Sequence, residues 1–489
     1  MTVAQTTTGP VQGREKEGVL LFAGIPFAAP PIDELRFRAA QPHLAWTDVR
    51  PALKFGAAAP QVATGGLTDS APARWAEDCL TLNVTTPALD NAGRPVLVWI
   101  HGGGYRTGQG GIPWYNGARF ARNGDIVVVS INYRLGALGF TDLSRFGEEY
   151  ATSGINGILD QITALAWVRD NIAQFGGDAN RVTIAGESAG AFAVSTLLGC
   201  PRAQGLFRAA IAQSGAAHHT LPSQAGEKVA DLFLEVLGID DAIGIDAVDV
   251  DTILKAQQTV CDRLEGPAGA LSKLGMAVSA FYPVIGTEVL PENPFSAIES
   301  GASADIPVLI GSNRHETTLW GYGEVDDAKL NRMVANYGAE QVLAVYRSQR
   351  PDASPQELII ALTTDHMFRI PAIRLAEARD PHNAQTWMYW FCWESRAFGG
   401  NLKATHALEI PFAFDNLDRA GVDVFLGDGP IPQAVADDMH RAWTSFIRDG
   451  DAGWAPYRRE SRATMRFGEQ CEVVNDPDGL ERDAWEGIR

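Results

Sequence analysis

The stretch VTIAGESAGAFAVSTLL, residues 182–198, sets a serine between two segments of opposite character. VTIA (182–185) is a short, unbroken apolar run of the kind that forms a strand covered on both faces. GAFAVSTLL (190–198) is rich in alanine and leucine and reads as a helix beginning at once. Between them stands G-E-S-A-G, so Ser188 falls on a sharp strand-to-helix turn. Such a turn strains the backbone and exposes the hydroxyl. The flanking glycines are needed because side chains there would collide with the neighbouring strand and helix. The helix N-terminus also aims unpaired N–H groups and a positive dipole end at developing negative charge. A lone G-x-S-x-G is a weak signal in a chain with 50 glycines; the strand before it and the helix after it make Ser188 a candidate nucleophile.

The same alternation extends outward. VLVWI (96–100), DIVVVSINY (125–133), AAIAQSG (209–215), IPVLIGSN (306–313) and TWMYWFCW (386–393) read as further buried strands. ILDQITALAWVRDNIAQF (158–175) reads as a helix. Continuous rather than alternating hydrophobicity predicts an α/β architecture, with a mostly parallel central sheet flanked by helices. Residues 222–280, acidic and helix-like, and 321–385 read as helical insertions around the site. No repeat and no Pro/Gly-rich linker divides the 489 residues, so a single domain is expected.

Composition narrows the partners. With 46% hydrophobic and 20% charged residues the chain is ordinary globular protein. A formal net charge of −19 repels phosphate backbones and anionic lipid, and no Lys/Arg run offsets it, so neither nucleic acid nor a membrane surface is expected as a partner. MTVAQTTTGPVQGREKEG, at the start, has no basic region followed by an apolar core, and no run approaches the ~18 apolar residues that span a bilayer. Cys79, Cys200, Cys261, Cys392 and Cys471 are scattered without C-x-x-C spacing. An odd, sparse set reads as reduced thiols, each buried as a small hydrophobe, in a cytoplasmic protein.

A serine hydroxyl attacks poorly without a base, and the base needs a carboxylate to orient it and donors for the oxyanion. HGGGY (101–105), directly after VLVWI, is the candidate for the donors, since successive glycines let the backbone approach a carbonyl oxygen. Nine histidines compete for the base. His101 reads as a structural part of the glycine loop. In the α/β-hydrolase order the histidine comes last, which leaves His406 and His440 open.

Taken together, these segments resemble the type-B carboxylesterases, the α/β-hydrolases that include cholinesterases and microbial esterases. The blocks run in order: FAGIPFAAPPIDELRF (22–37), EDCLTLNV (77–84), VWIHGGGY (98–105), INYRLGALGF (131–140), GILDQITALAWVRDNIAQFGGDANRVTIAGESAG (157–190), GLFRAAIAQSG (205–215), FYPVIG, GSNRHET, HALEIPFAF and WTSFIRDGDAGWAPY. The resemblance weakens through 222–280. It implies Ser188 as nucleophile, His406 as general base and Glu316 as the triad acid, with His440 left on a helix surface. It implies the amides of Gly103, Gly104 and Ala189 as oxyanion donors and Ser214 as a residue behind the acid that holds it.

The expected activity is hydrolysis of small neutral carboxylic esters through an acyl-enzyme, with no metal or organic cofactor. Carbamate, amide or lipase action on the same machinery, and a non-catalytic binding module, are the alternatives. Ala59 stands before Pro60-Gln61, where secreted relatives carry a cysteine paired with that of EDC, so Cys79 has no such partner. The loop before EDC reads as short, and Trp75 lies too near Cys79 to match a choline-stacking tryptophan. Tyr105, Trp114, Trp320, Phe368 and Trp393 are candidates for aromatic lining of the site or for core packing. The sequence leaves the oligomeric state open.

Overall fold

A computed structural model of the chain describes residues 2–62, 74–264, 276 and 279–489. Eleven strands form one sheet: β1 (Arg14–Lys16), β2 (Val19–Pro26), β3 (Thr81–Thr86), β4 (Arg94–Ile100), β5 (Val127–Ile131), β6 (Gly177–Glu187), β7 (Ala209–Gln213), β8 (Val308–Asn313), β9 (Thr386–Phe391), β10 (Ala463–Phe467) and β11 (Glu472–Asn475). Their spatial order is β11-β10-β9-β8-β7-β6-β4-β5-β3-β2-β1. From β10 across to β5 every pairing is parallel; both flanks turn antiparallel. All six strands expected from continuous apolar runs lie in the parallel part.

Why those runs are unbroken is visible in the packing. Along β4, Val96, Val98 and Ile100 enter one apolar core while Leu97 and Trp99 enter a second on the opposite face. Along β7, Ala210 and Ala212 face the first, and Ala209 and Ile211 the second. Side chains alternate sides along a strand, so a strand covered on both faces must be apolar at every position. The first core is closed by helices α1 (Asn156–Asn171) and α2 (Ala189–Leu198), the second by α3 (Gln433–Asp449), whose Met439, Trp443 and Phe446 lie against the sheet.

The region 222–280 supplies two helices, Ser223–Leu237 and Val250–Leu264; residues 265–275 and 277–278 of that expected insertion lie outside the described residues. So does most of the loop before EDC, at 63–73. The region 321–385 is helical as expected, from Asp327–Tyr337 to Ile370–Arg379. Among the described residues no helix is long and apolar enough to cross a membrane.

The strand order places the site. β5 lies on one side of β4 and β6 on the other, so the chain winds in opposite directions from this point, and a crevice opens beyond the carboxyl ends of the strands. Ile100 is paired with Gly186. The glycine loop leaving β4 and the serine turn leaving β6 therefore start side by side.

Candidate active site

Ser188 has φ 55° and ψ −122°, outside the regions L-residues ordinarily occupy, and it caps the start of α2. A Cβ on Gly190 would lie 2.0 Å from Ile100 O, and one on Gly186 2.7 Å from the same oxygen. Those contacts are the physical reason for the spacing of G-x-S-x-G: both glycines pass directly against β4. Ser188 N–H donates to Gln213 O at 2.9 Å, which fixes the turn to β7.

The glycine loop folds back over this turn. A Cβ on Gly102 would meet Glu187 O at 2.6 Å and Ser188 Cβ at 3.1 Å. Gly103 (φ 107°) and Gly104 (φ 62°) both hold conformations that favour glycine, and a Cβ on Gly103 would strike Thr107 O. Among the described residues, the amides of Gly103, Gly104 and Ala189 donate to no other group of the protein, Ala189 being the first residue of α2. His101 is buried, stacks on Tyr133 with ring centroids 4.6 Å apart, and has Nδ1 2.8 Å from Gly102 O, a structural place as expected.

Glu316 opens a short 3-10 turn three residues beyond β8 and is fully buried. Its Oε1 accepts from Asn313 N at 2.7 Å and its Oε2 lies 2.6 Å from His406 Nδ1. The backbone repeats the link, His406 N–H donating to Glu316 O at 3.2 Å. A carboxylate at Nδ1 places the ring proton there and leaves the Nε2 lone pair free to act as a base. Nε2 lies 3.1 Å from Glu187 Oε1, and among the described residues no hydrogen bond joins His406 to the Ser188 hydroxyl. Such contacts are often loose before substrate binds and tighten in the complex.

Glu187 and Glu409 are the two site residues that reading the sequence missed. Glu187 is the first x of G-x-S-x-G and Glu409 the E of HALEIPF, positions whose residue type neither pattern explains. Glu409 is fully buried, with Oε2 2.6 Å from Asn313 Nδ2 and Oε1 3.2 Å from Gln213 Nε2. Gln213 is held in turn by Trp443 Nε1 at 2.9 Å. Three buried carboxylates thus surround one imidazole.

Burial opposes charge on His406, but Glu187 and Glu316 outweigh it and raise its pKa to about 9. Burial raises Glu187 to about 8 against the pull of His406, with Glu409 and Glu316 adding to the rise. Burial and then Glu316 raise Glu409 as well. These groups share protons, and the titration belongs to the set. As a general base His406 must be neutral, so activity is expected to fall as pH drops through the apparent pKa of the set. Glu187→Gln removes the carboxylate facing Nε2 and is expected to move the acid limb of kcat/KM to lower pH; a pH–rate profile with an unshifted limb would contradict the assignment.

Several expectations need correction. Ser214 is buried at φ 53°, with its amide occupied by Gly311 O, and its hydroxyl does not hydrogen-bond the acid. Asn313 N holds Glu316 in its stead. His440 does lie on a helix, but it is buried: it packs on Phe120 at 4.4 Å and has Nδ1 2.9 Å from Ala413 O, far from a surface role. Of the five cysteines, Cys79, Cys200 and Cys261 are buried, while Cys392 and Cys471 are only half-buried. Of the aromatic candidates, Phe368 and Trp320 reach His406, with ring centroids at 4.9 and 5.1 Å. Tyr105, Trp114 and Trp393 pack against Phe140, Phe425 and Phe412 respectively. A cavity of about 140 Å³ lies elsewhere, between β2, β3 and the segment 110–118, and none of Ser188, Glu316 or His406 lines it. The reactive groups, not the cavity volume, mark the site.

A strained serine between strand and helix, a glycine loop beside it and a His–Glu pair from the ends of later parallel strands define the α/β-hydrolase class. Residues 1–485 match the carboxylesterase family model, and the chain belongs to that family. It is 37% identical over 498 residues to the para-nitrobenzyl esterase of Bacillus subtilis (strain 168), covering 98% of this chain and 97% of that one. It is 37% identical over 501 residues to phenmedipham hydrolase of Pseudarthrobacter oxydans, covering 97% of each. The crystal structure of a Geobacillus stearothermophilus carboxylesterase superimposes with a TM-score of 0.87 at 38% identity, covering 99% of this chain and 100% of that one.

Proposed function

We propose that the protein is a serine carboxylesterase that cleaves small neutral esters with Ser188, His406 and Glu316. The observation that carries the reading is the 2.6 Å Glu316–His406 contact at the carboxyl ends of the strands that also present the Ser188 turn. In the first step the imidazole leaves Glu187 for the Ser188 hydroxyl and takes its proton as Oγ bonds to the ester carbonyl carbon. The oxyanion is received by the amides of Gly103, Gly104 and Ala189. The imidazolium, stabilised by Glu316, then protonates the departing alkoxide as its bond to carbon breaks. Water repeats the sequence on the acyl-enzyme and returns Ser188.

Eleven strands drawn from residues 14 to 475 into one sheet support reading the chain as a single domain. All five cysteines are free, which supports a reducing, cytoplasmic location, and relatives in Bacillus and Pseudarthrobacter support a bacterial type. A net charge of −19 weighs against nucleic acid and anionic membranes as partners. Specificity constants on a matched ester, carbamate and anilide test the substrate class, because their ratio reports transition-state discrimination. The ester is expected to lead; a leading carbamate or anilide would overturn that substrate class.

A further inference from the structure

Helix Pro355–Thr364 does not stop at Thr364 but runs through a π-helical turn, Asp365–Arg369, into helix Ile370–Arg379. Pro371 accounts for the widened turn. Proline has no N–H, and its ring would press on the carbonyl four residues earlier, at Met367, in a regular helix. Ile370 N–H donates to Asp365 O, five residues back.

The wide turn divides its side chains. Asp365 and Arg369 point away from the site and are both buried, with Arg369 Nη1 3.1 Å from Asp365 Oδ2. Tyr346 also donates to that carboxylate, and Trp485 Nε1 donates to the Tyr346 oxygen at 2.9 Å. Arg369 lies over the Trp390 ring and donates to Pro477 O. On the preceding turn, the Thr363 and Thr317 hydroxyls are 2.8 Å apart, which ties this helix to the residue after Glu316. Phe368 is left facing the site. Its ring lies 4.9 Å from that of His406 and parallel to Trp320, with an interplanar angle of 1°. Phe368 is buried, whereas Trp320 is exposed.

Glu316 holds the imidazole at Nδ1 and Glu187 meets Nε2 at 3.1 Å; once Nε2 leaves Glu187 for the serine, the ring is free to rock about the Nδ1 contact. We infer that Phe368 is a positioning residue for His406, held by the Asp365–Arg369–Tyr346 clip, and that with Trp320 it confines the ring to the small swing carrying Nε2 from Glu187 to Ser188. This rests on the esterase reading above. The group that reacts is the imidazole; Phe368 acts through it.

The test uses the whole enzyme with active sites counted by organophosphonate titration. Phe368→Leu keeps an apolar side chain but removes the flat wall, and Asp365→Asn loosens the clip alone. Phe368→Leu is expected to lower kcat per titrated site about 10-fold, since small misplacements of reacting groups cost this much or more. KM should stay within about 2-fold, because ground-state binding is untouched. The rate of serine phosphonylation should fall in parallel, and Asp365→Asn should follow in the same direction more weakly. A lower melting temperature with kcat per site unchanged would make Phe368 structural only. A loss confined to KM and varying with acyl length would make it a substrate wall. Either result overturns the inference. If Phe368→Leu does not fold, Trp320→Leu at the exposed half of the pair carries the same test. A wild-type protein that neither turns over esters nor takes the phosphonate would instead refute the esterase reading.

Discussion

Ser188→Ala is expected to lower kcat on a short-chain aryl ester by roughly 10⁴–10⁶-fold, the cost of removing a serine nucleophile from a working triad. The fold should survive. Alanine meets the same strain at φ 55° that serine already bears, and the hydroxyl makes no capping hydrogen bond to α2. What remains is catalysis by the oxyanion donors and by binding alone. A melting temperature near the wild-type value with activity near background is the combination expected; retained turnover would remove Ser188 from its role.

Glu316→Gln should be nearly as severe, about 10⁴-fold in kcat by analogy of mechanism with losing the triad carboxylate while its shape is kept. Glutamine can still accept from Asn313 N through its carbonyl oxygen. Its NH₂ then faces His406 Nδ1, which must accept rather than donate. The ring proton moves to Nε2, the lone pair is lost where the serine needs it, and the imidazolium loses a buried counter-charge. Steady-state rates on the purified variant decide the matter. A loss below about 10-fold would mean that Glu187 or Glu409, both within the same buried set, orients the base instead.

These two variants probe different depths of what the sequence reveals. The serine turn is legible because its causes are local: an apolar strand, a helix with no break before it, and two glycines that the crossing of β4 requires. The parallel strands are legible for a related reason, since burial on both faces leaves no polar position along them. The antiparallel flank is not. TLNVTT in β3 has four polar residues of six, REK in β1 is fully exposed, and EVVN in β11 is exposed or half-buried, so none of these three carries an unbroken apolar run.

The partners of Ser188 are harder because they are distant in sequence and local chemistry does not single them out. His406 and His440 are both late histidines, and both are buried against aromatic rings. What separates them is Glu316, which only the packing of β8 beside β9 brings to His406, 90 residues away along the chain. Resemblance supplied that pairing; composition and periodicity did not. Resemblance also misplaced one contact, since the acid is held by the backbone amide of Asn313, at the end of β8, and not by the Ser214 hydroxyl after the neighbouring β7. The carboxylates Glu187 and Glu409 were invisible for the opposite reason. Each sits within a few residues of a reactive group, and a charged residue in such a motif reads as solvated until its burial is known.

Mass-spectrometric mapping of the protein after reaction with a fluorophosphonate tests the central claim most directly. One phosphonyl group per chain is expected, on the peptide carrying Ser188, with labelling slowed in step with ester turnover when Glu316 is changed to glutamine. Modification at another serine, or full ester hydrolysis by protein unlabelled at Ser188, would contradict it.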